Sequence, residues 1–109
     1  MANFIEIDSP ETLETLFQQS FDVPILLFKH SVTCPISTNV YDEVSAVEGE
    51  INLVIVQKAR NISNLIAEKT EIRHQSPQAI ILRDGKAIYH ASHYDITAED
   101  INSEMRSKT

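Results

Sequence analysis

A chain of 109 residues, 42% hydrophobic and 23% charged, has the size and balance of one folded domain covering 1–109; no apolar run approaches the ~20 residues of a membrane-spanning helix. A formal net charge of −7 repels phosphate backbones and anionic headgroups, so neither nucleic acid nor membrane is expected as a partner. One cysteine excludes an internal disulfide, and two glycines exclude a glycine-rich phosphate loop.

Residues 1–10 contain two acids and no Lys or Arg, unlike a secretory leader, so a cytoplasmic location with the thiol reduced is expected. Residues 4–7 alternate as a short edge strand. Asp8-Ser9-Pro10-Glu11 reads as a helix start, Ser9 capping and Pro10 standing where its missing N–H costs nothing, and Leu13, Leu16, Phe17 and Phe21 supply the apolar stripe. The run Ile25-Leu26-Leu27-Phe28 predicts a central strand covered on both faces, ending at Lys29-His30. A polar turn, Ser31-Val32-Thr33, leads to Cys34-Pro35-Ile36-Ser37, after which Ile36, Val40, Tyr41, Val44 and Val47 mark a second helix.

Residues 51–56, rich in β-branched side chains, make a third strand, and residues 61–72, with Ile62, Leu65 and Ile66 on one side, a third helix. After a loop over 73–77 come strands at 79–82 and 87–94, joined through Asp84-Gly85, a tight-hairpin signal. A last helix, 98–106, is capped by Thr97 and turns Ile101 and Met105 inward, with the tail 102–109 read as solvated surface. The sum is β-α-β-α-β-α-β-β-α. This is an α/β chain with a mixed sheet of four to five strands flanked by helices, in the order of a thioredoxin-like fold.

Two local features coincide with that order. Thr33-Cys34-Pro35-Ile36-Ser37 lies on the turn from the central strand into the second helix, and Ser76-Pro77 immediately precedes the hairpin. Together with Phe28-Lys29-His30-Ser31 and the segment His90-Ala91-Ser92-His93-Tyr94-Asp95-Ile96-Thr97, they make the chain resemble the monothiol bacilliredoxin family, the YtxJ-like general stress proteins of low-GC Gram-positive bacteria. The resemblance runs over nearly the whole length. Tyr94 departs from it only in standing where the aromatic is often Trp.

The resemblance implies a monothiol oxidoreductase that removes bacillithiol, a low-molecular-weight thiol, from mixed disulfides on cytoplasmic proteins. Cys34 is then the nucleophile and Pro77 a cis proline facing it. S-thiolated cytoplasmic proteins are the implied partners, bacillithiol the co-substrate, and no bound cofactor is implied. A second bacillithiol or a dithiol reductant protein restores Cys34.

The residues can be read for that chemistry directly. Exchange needs a thiolate, and a helix start favours one, through backbone N–H groups such as those of Ile36 and Ser37 and through the helix dipole, worth ~0.3–1 kcal/mol at an exposed site. Lys29 and His30 are expected to add positive charge nearby. Ser37 stands where a resolving cysteine would, and an alcohol cannot displace a thiol, so the mixed disulfide must persist until another thiol arrives. The loop before Pro77 is expected to form the substrate groove, the backbone of Ser76 pairing with an extended ligand and Arg73 and His74 reaching the malate carboxylates of bacillithiol.

Other readings compete. A lone cysteine is often an inert buried hydrophobe, and Ser-Pro is often an ordinary trans turn. His90 and His93 project to opposite faces if both lie on a strand, so no metal site is expected. His30 and His74 read as polar strand-end and loop residues before general bases. An iron–sulfur carrier of the monothiol glutaredoxin kind would share one cysteine and a cis proline, but carries Gly-Phe where this chain has Pro35-Ile36. A noncatalytic thioredoxin-like adaptor would use the groove and leave Cys34 incidental.

Overall fold

The computed structural model describes residues 2–106. In chain order it contains β1 (Ala2–Glu6), α1 (Pro10–Gln19), β2 (Ile25–His30), α2 (Pro35–Val44), β3 (Gly49–Ile55), α3 (Arg60–Thr70), β4 (Gln78–Arg83), β5 (Lys86–Ser92), a short 3-10 turn (His93–Asp95) and α4 (Ala98–Arg106). The strands form one sheet in the order β1-β3-β2-β4-β5. The first three run parallel, and β4 and β5 pair antiparallel.

Strand β2 is buried at every position, which explains its unbroken apolar run. Its side chains alternate between two layers. Ile25 and Leu27 pack with Leu13, Leu16 and Phe17 of α1 and Ile62 and Ile66 of α3. Leu26 and Phe28 face the other way, onto Val40 and Val44 of α2 and Ile101 of α4. Lys29 and His30 continue the same alternation, so they leave the sheet on opposite faces.

Local chemistry sets the ends of the elements. The Ser9 hydroxyl accepts the Thr12 N–H at 3.2 Å with Pro10 opening α1, and the Thr97 hydroxyl accepts the Asp100 N–H at 3.2 Å. Asp84 and Gly85 both take positive φ, 57° and 77°, as a two-residue hairpin of matching twist requires. Their N–H groups dock on the Ser20 carbonyl and hydroxyl, each at 2.8 Å.

Several boundaries differ from the sequence expectation. Strand β1 begins at Ala2, because its partner β3 already begins at Gly49 and pairs there. Phe21 does not continue the α1 stripe: α1 ends at Gln19, and the Phe21 ring is 58% exposed and lies over Gly85. Val47 is buried but sits beyond the end of α2. Helix α3 stops at Thr70, where Glu71 turns left-handed at φ 58°. Strand β5 stops at Ser92 rather than 94, since β4 ends its pairing at Gln78↔Ser92 and Pro77 before it has no N–H to offer. His93 therefore lies in the 3-10 turn with φ 55°, and the strand-alternation argument for His90 and His93 does not apply. Residues 107–109 of the tail read as solvated lie outside the described residues. Among the described residues no helix is long and apolar enough to cross a membrane.

Candidate active site around Cys34

The site forms where β2 ends. Its last residue hands over to a turn that closes when the Cys34 N–H reaches back to the Ser31 carbonyl at 3.5 Å. Cys34 is then the N-cap of α2, in extended conformation (φ −99°, ψ 122°), with Pro35 as the first helical residue. Its carbonyl receives the Thr38 N–H at 3.1 Å and the Thr38 hydroxyl at 3.3 Å. Cys34 is partly exposed as a residue, so it is not a fully buried core side chain.

The expected hydrogen bonds from the Ile36 and Ser37 N–H groups to the sulfur are not made: Cys34 caps α2 without a side-chain hydrogen bond. Its extended backbone commits the carbonyl, not the sulfur, to the first turn. What remains at the sulfur is the field of the helix terminus. Ile36 is half-buried and packs on the α2–α4 layer. The Ser37 side chain is fully buried, and its hydroxyl accepts the Ser31 N–H at 3.2 Å, tying the start of α2 to the turn that precedes Cys34.

A residue that sequence reading missed holds the rest of that turn. The Gln57 carbonyl oxygen accepts the Val32 N–H at 3.2 Å, while its amide nitrogen donates to the Ser31 hydroxyl at 2.6 Å and the Thr33 hydroxyl at 3.1 Å. Gln57 follows β3, and the adjoining Val56 N–H bonds the His30 carbonyl at 3.0 Å. Thr33 and Pro35 are both exposed beside the thiol.

Neither expected source of positive charge touches Cys34. His30 is buried, its ring 4.9 Å from Tyr41 and 6.0 Å from Phe28 between centroids, and its Nδ1 has no hydrogen-bond partner. Burial lowers its pKa, with the Ser37 backbone partly opposing, so the ring is neutral at neutral pH. Lys29 goes to the other face of the sheet. Its Nζ, fully buried, donates to the Ser63 carbonyl at 3.1 Å and to His74 Nδ1 at 3.2 Å. Desolvation pulls its pKa down to about 8.

The Ser76-Pro77 bond is cis. Register places it: Lys29 pairs with Gln78, so Pro77 stands level with His30, at the end of β2 from which the Cys34 turn departs. The Pro77 carbonyl accepts the His93 N–H at 3.0 Å, and the Ser76 hydroxyl oxygen is buried without a partner. Tyr94 follows, 62% exposed, its hydroxyl accepting the Asn39 amide of α2 at 3.1 Å. Arg73 is exposed and uses its carbonyl to receive the Gln78 amide at 3.0 Å. His74 is exposed as a residue, but its Nδ1 points inward to Lys29 and to the Ser63 hydroxyl at 3.0 Å. Among the described residues no group of three or more His, Cys, Asp or Glu side chains is placed to hold a metal ion.

Comparison with known proteins agrees with this geometry. A solved structure described as a candidate oxidoreductase with a thioredoxin fold shares 30% identity, covers 95% of this chain and 94% of its own, and superposes with a TM-score of 0.85. A point mutant of the thioredoxin from Halobacterium salinarum NRC-1 (11% identity, 98% and 91% covered, TM-score 0.73) and the thioredoxin of Fasciola hepatica (16%, 92% and 94%, 0.70) share the fold. The family model of the monothiol bacilliredoxin BrxC matches residues 5–101. One accessible thiol at a helix start, a serine where a second would stand, a cis proline level with the end of the central strand and this match lead to one assignment: the chain belongs to the monothiol bacilliredoxin family and is a single-thiol redox protein of thioredoxin fold.

Proposed function

We propose that the chain removes bacillithiol from mixed disulfides on cytoplasmic proteins, with Cys34 as the attacking thiol. The Cys34 thiolate attacks the bacillithiol sulfur of the mixed disulfide. A Cys34–bacillithiol disulfide forms, and the protein sulfur leaves as a thiolate that takes up a proton. A second bacillithiol, or a thiol of a dithiol protein, then attacks the same bacillithiol sulfur and expels Cys34 as thiolate. The electron pair given up by the incoming thiols ends on the freed protein thiol, and those thiols leave oxidised, as bacillithiol disulfide or as the disulfide form of the dithiol protein with free bacillithiol released.

The observation that carries the reading is the pairing of a part-exposed Cys34 with a Ser37 whose hydroxyl is buried and already bonded to the Ser31 N–H. Nothing within the chain can resolve the mixed disulfide, so a thiol from outside must. The sulfur of an extended ligand would lie between the Cys34 turn and the Ser76-Pro77 loop, with the exposed Tyr94 ring at its side.

A protein modified by bacillithiol on a single cysteine, incubated with the chain and free bacillithiol, tests the proposal. Recovery of the free protein thiol is expected with the native chain, is expected to vanish with Cys34→Ser, and is expected to survive Ser37→Ala. Equal recovery with Cys34→Ser would refute it.

A further inference from the structure

Beside the Cys34 turn, on the α3 side of the sheet, is an open pocket lined by Val56, Arg60, Ser63, Asn64 and His74. We propose that this pocket, underlain by the buried Lys29, binds a carboxylate of the small thiol that Cys34 exchanges. The inference deepens the functional reading above and rests on it for the identity of the thiol.

The argument begins at one ring nitrogen. Lys29 Nζ lies 3.2 Å from His74 Nδ1, and the Ser63 hydroxyl lies 3.0 Å from the same atom. An ammonium has three donors and no lone pair, so Nδ1 must be the acceptor. The ring proton is therefore on Nε2, and the tautomer is fixed from below by two donors. Burial and the neighbouring Lys29 and Arg60 cations also lower the His74 pKa, which keeps the ring neutral with Nε2–H as its free donor.

Around this donor the pocket carries the guanidinium of Arg60 and the amide of Asn64, and no carboxylate lines it. Among the described residues Arg60 makes no ion pair. In a chain of net charge −7, a concave site lined by one cation, Arg60, with a second, Lys29, buried beneath it and no acid in its lining is a local reversal of the overall field, and its complement is an anion with paired acceptors. Malate, the acid portion of bacillithiol, presents two.

Position supports the link to Cys34. Val56 precedes Gln57, which grips Val32 and Thr33, and its own N–H holds the His30 carbonyl. His74 stands two residues before Ser76 of the cis bond. Arg73, the arginine expected to reach the carboxylates, does not line the pocket; Arg60 takes that place.

The test uses the Cys34→Ser chain, so that no covalent step intervenes, with malate and its dimethyl ester as probes. Long-range proton–nitrogen spectra should show His74 protonated on Nε2. Malate should shift His74 Nε2 and the Asn64 amide with saturation, the ester should not, and Arg60→Gln should weaken malate about tenfold, the loss of one charge-assisted hydrogen bond. Shifts that do not saturate, or that persist equally with the ester or with Arg60→Gln, would overturn the pocket. In the native chain, with free bacillithiol as reductant, Arg60→Gln should raise KM for the bacillithiol-modified protein and leave kcat nearly unchanged. Because the malate titration involves no sulfur, its failure strikes the pocket and leaves exchange at Cys34 standing, whereas failure of Cys34 to exchange strikes the functional reading and leaves of the pocket only its binding of malate.

Discussion

The Cys34 turn is held mainly by residues that do not react. Gln57 donates to two hydroxyls of the turn and accepts one of its backbone N–H groups, and Ser37 takes another from within. Replacing Gln57 by Ala should lower the rate at which Cys34 exchanges with a small disulfide several-fold, with the unfolding free energy changed by only the ~1 kcal/mol expected of largely exposed hydrogen bonds. Gln57→Glu, which keeps the acceptor for Val32, should fall between. Ser37→Ala should behave oppositely: exchange persists, but the buried Ser31 N–H loses its partner and stability drops by about 1–3 kcal/mol, measurable by urea titration. Cys34 and Pro77 were legible in the sequence because both lie in short motifs at fixed places in the element order. Gln57 was not, since a side chain reaching across to another strand's turn leaves no local pattern. Lys29 escapes a local reading for a related reason: strand alternation sends it and His30 to opposite faces, and the packing of the layers decides which face each meets.

At the scale of elements, the helix starts at Ser9, Pro35 and Thr97 and the Asp84-Gly85 hairpin follow from the chemistry of caps and turns, and the structure has them there. Ends that depend on a partner strand, such as Ser92, or on a single left-handed residue, such as Glu71, escape a reading of periodicity. The hairpin offers a sharp test. Gly85 has φ 77°, and a Cβ there would stand 2.7 Å from the Phe21 Cζ. Gly85→Ala should therefore destabilise by roughly 1–2 kcal/mol from the backbone alone and by more from the ring. In a Phe21→Ala background the excess should disappear and the backbone cost remain, a difference that a double-mutant cycle of unfolding free energies resolves.

For the whole molecule, three ionisable side chains packed against the two faces of one strand shape stability against pH. Folded Lys29 gives up its proton near pH 8, whereas the unfolded chain keeps it to 10.5. Between those values the unfolded state binds more protons, so the unfolding free energy rises with pH, by roughly 3 kcal/mol over the window. Urea titrations from pH 7.5 to 10.5 should show this rise in the native chain and not in Lys29→Met. His30 and His74 act in the same direction at lower pH: each has a folded pKa below 6.5, so stability falls as pH drops below that value. Around this strand the sheet order β1-β3-β2-β4-β5 brings Cys34, Gln57 and Pro77 from three distant parts of the sequence to one edge.

The central claim is that a single sulfur carries the exchange and waits for an outside thiol. Intact-mass measurement on the native chain, after mixing with a bacillithiol-modified protein without any free thiol, decides it most directly. One bacillithiol should be found on Cys34, stable until bacillithiol or a dithiol protein is added and lost on addition. An unmodified chain, or an adduct that disappears without an added thiol, would contradict the account.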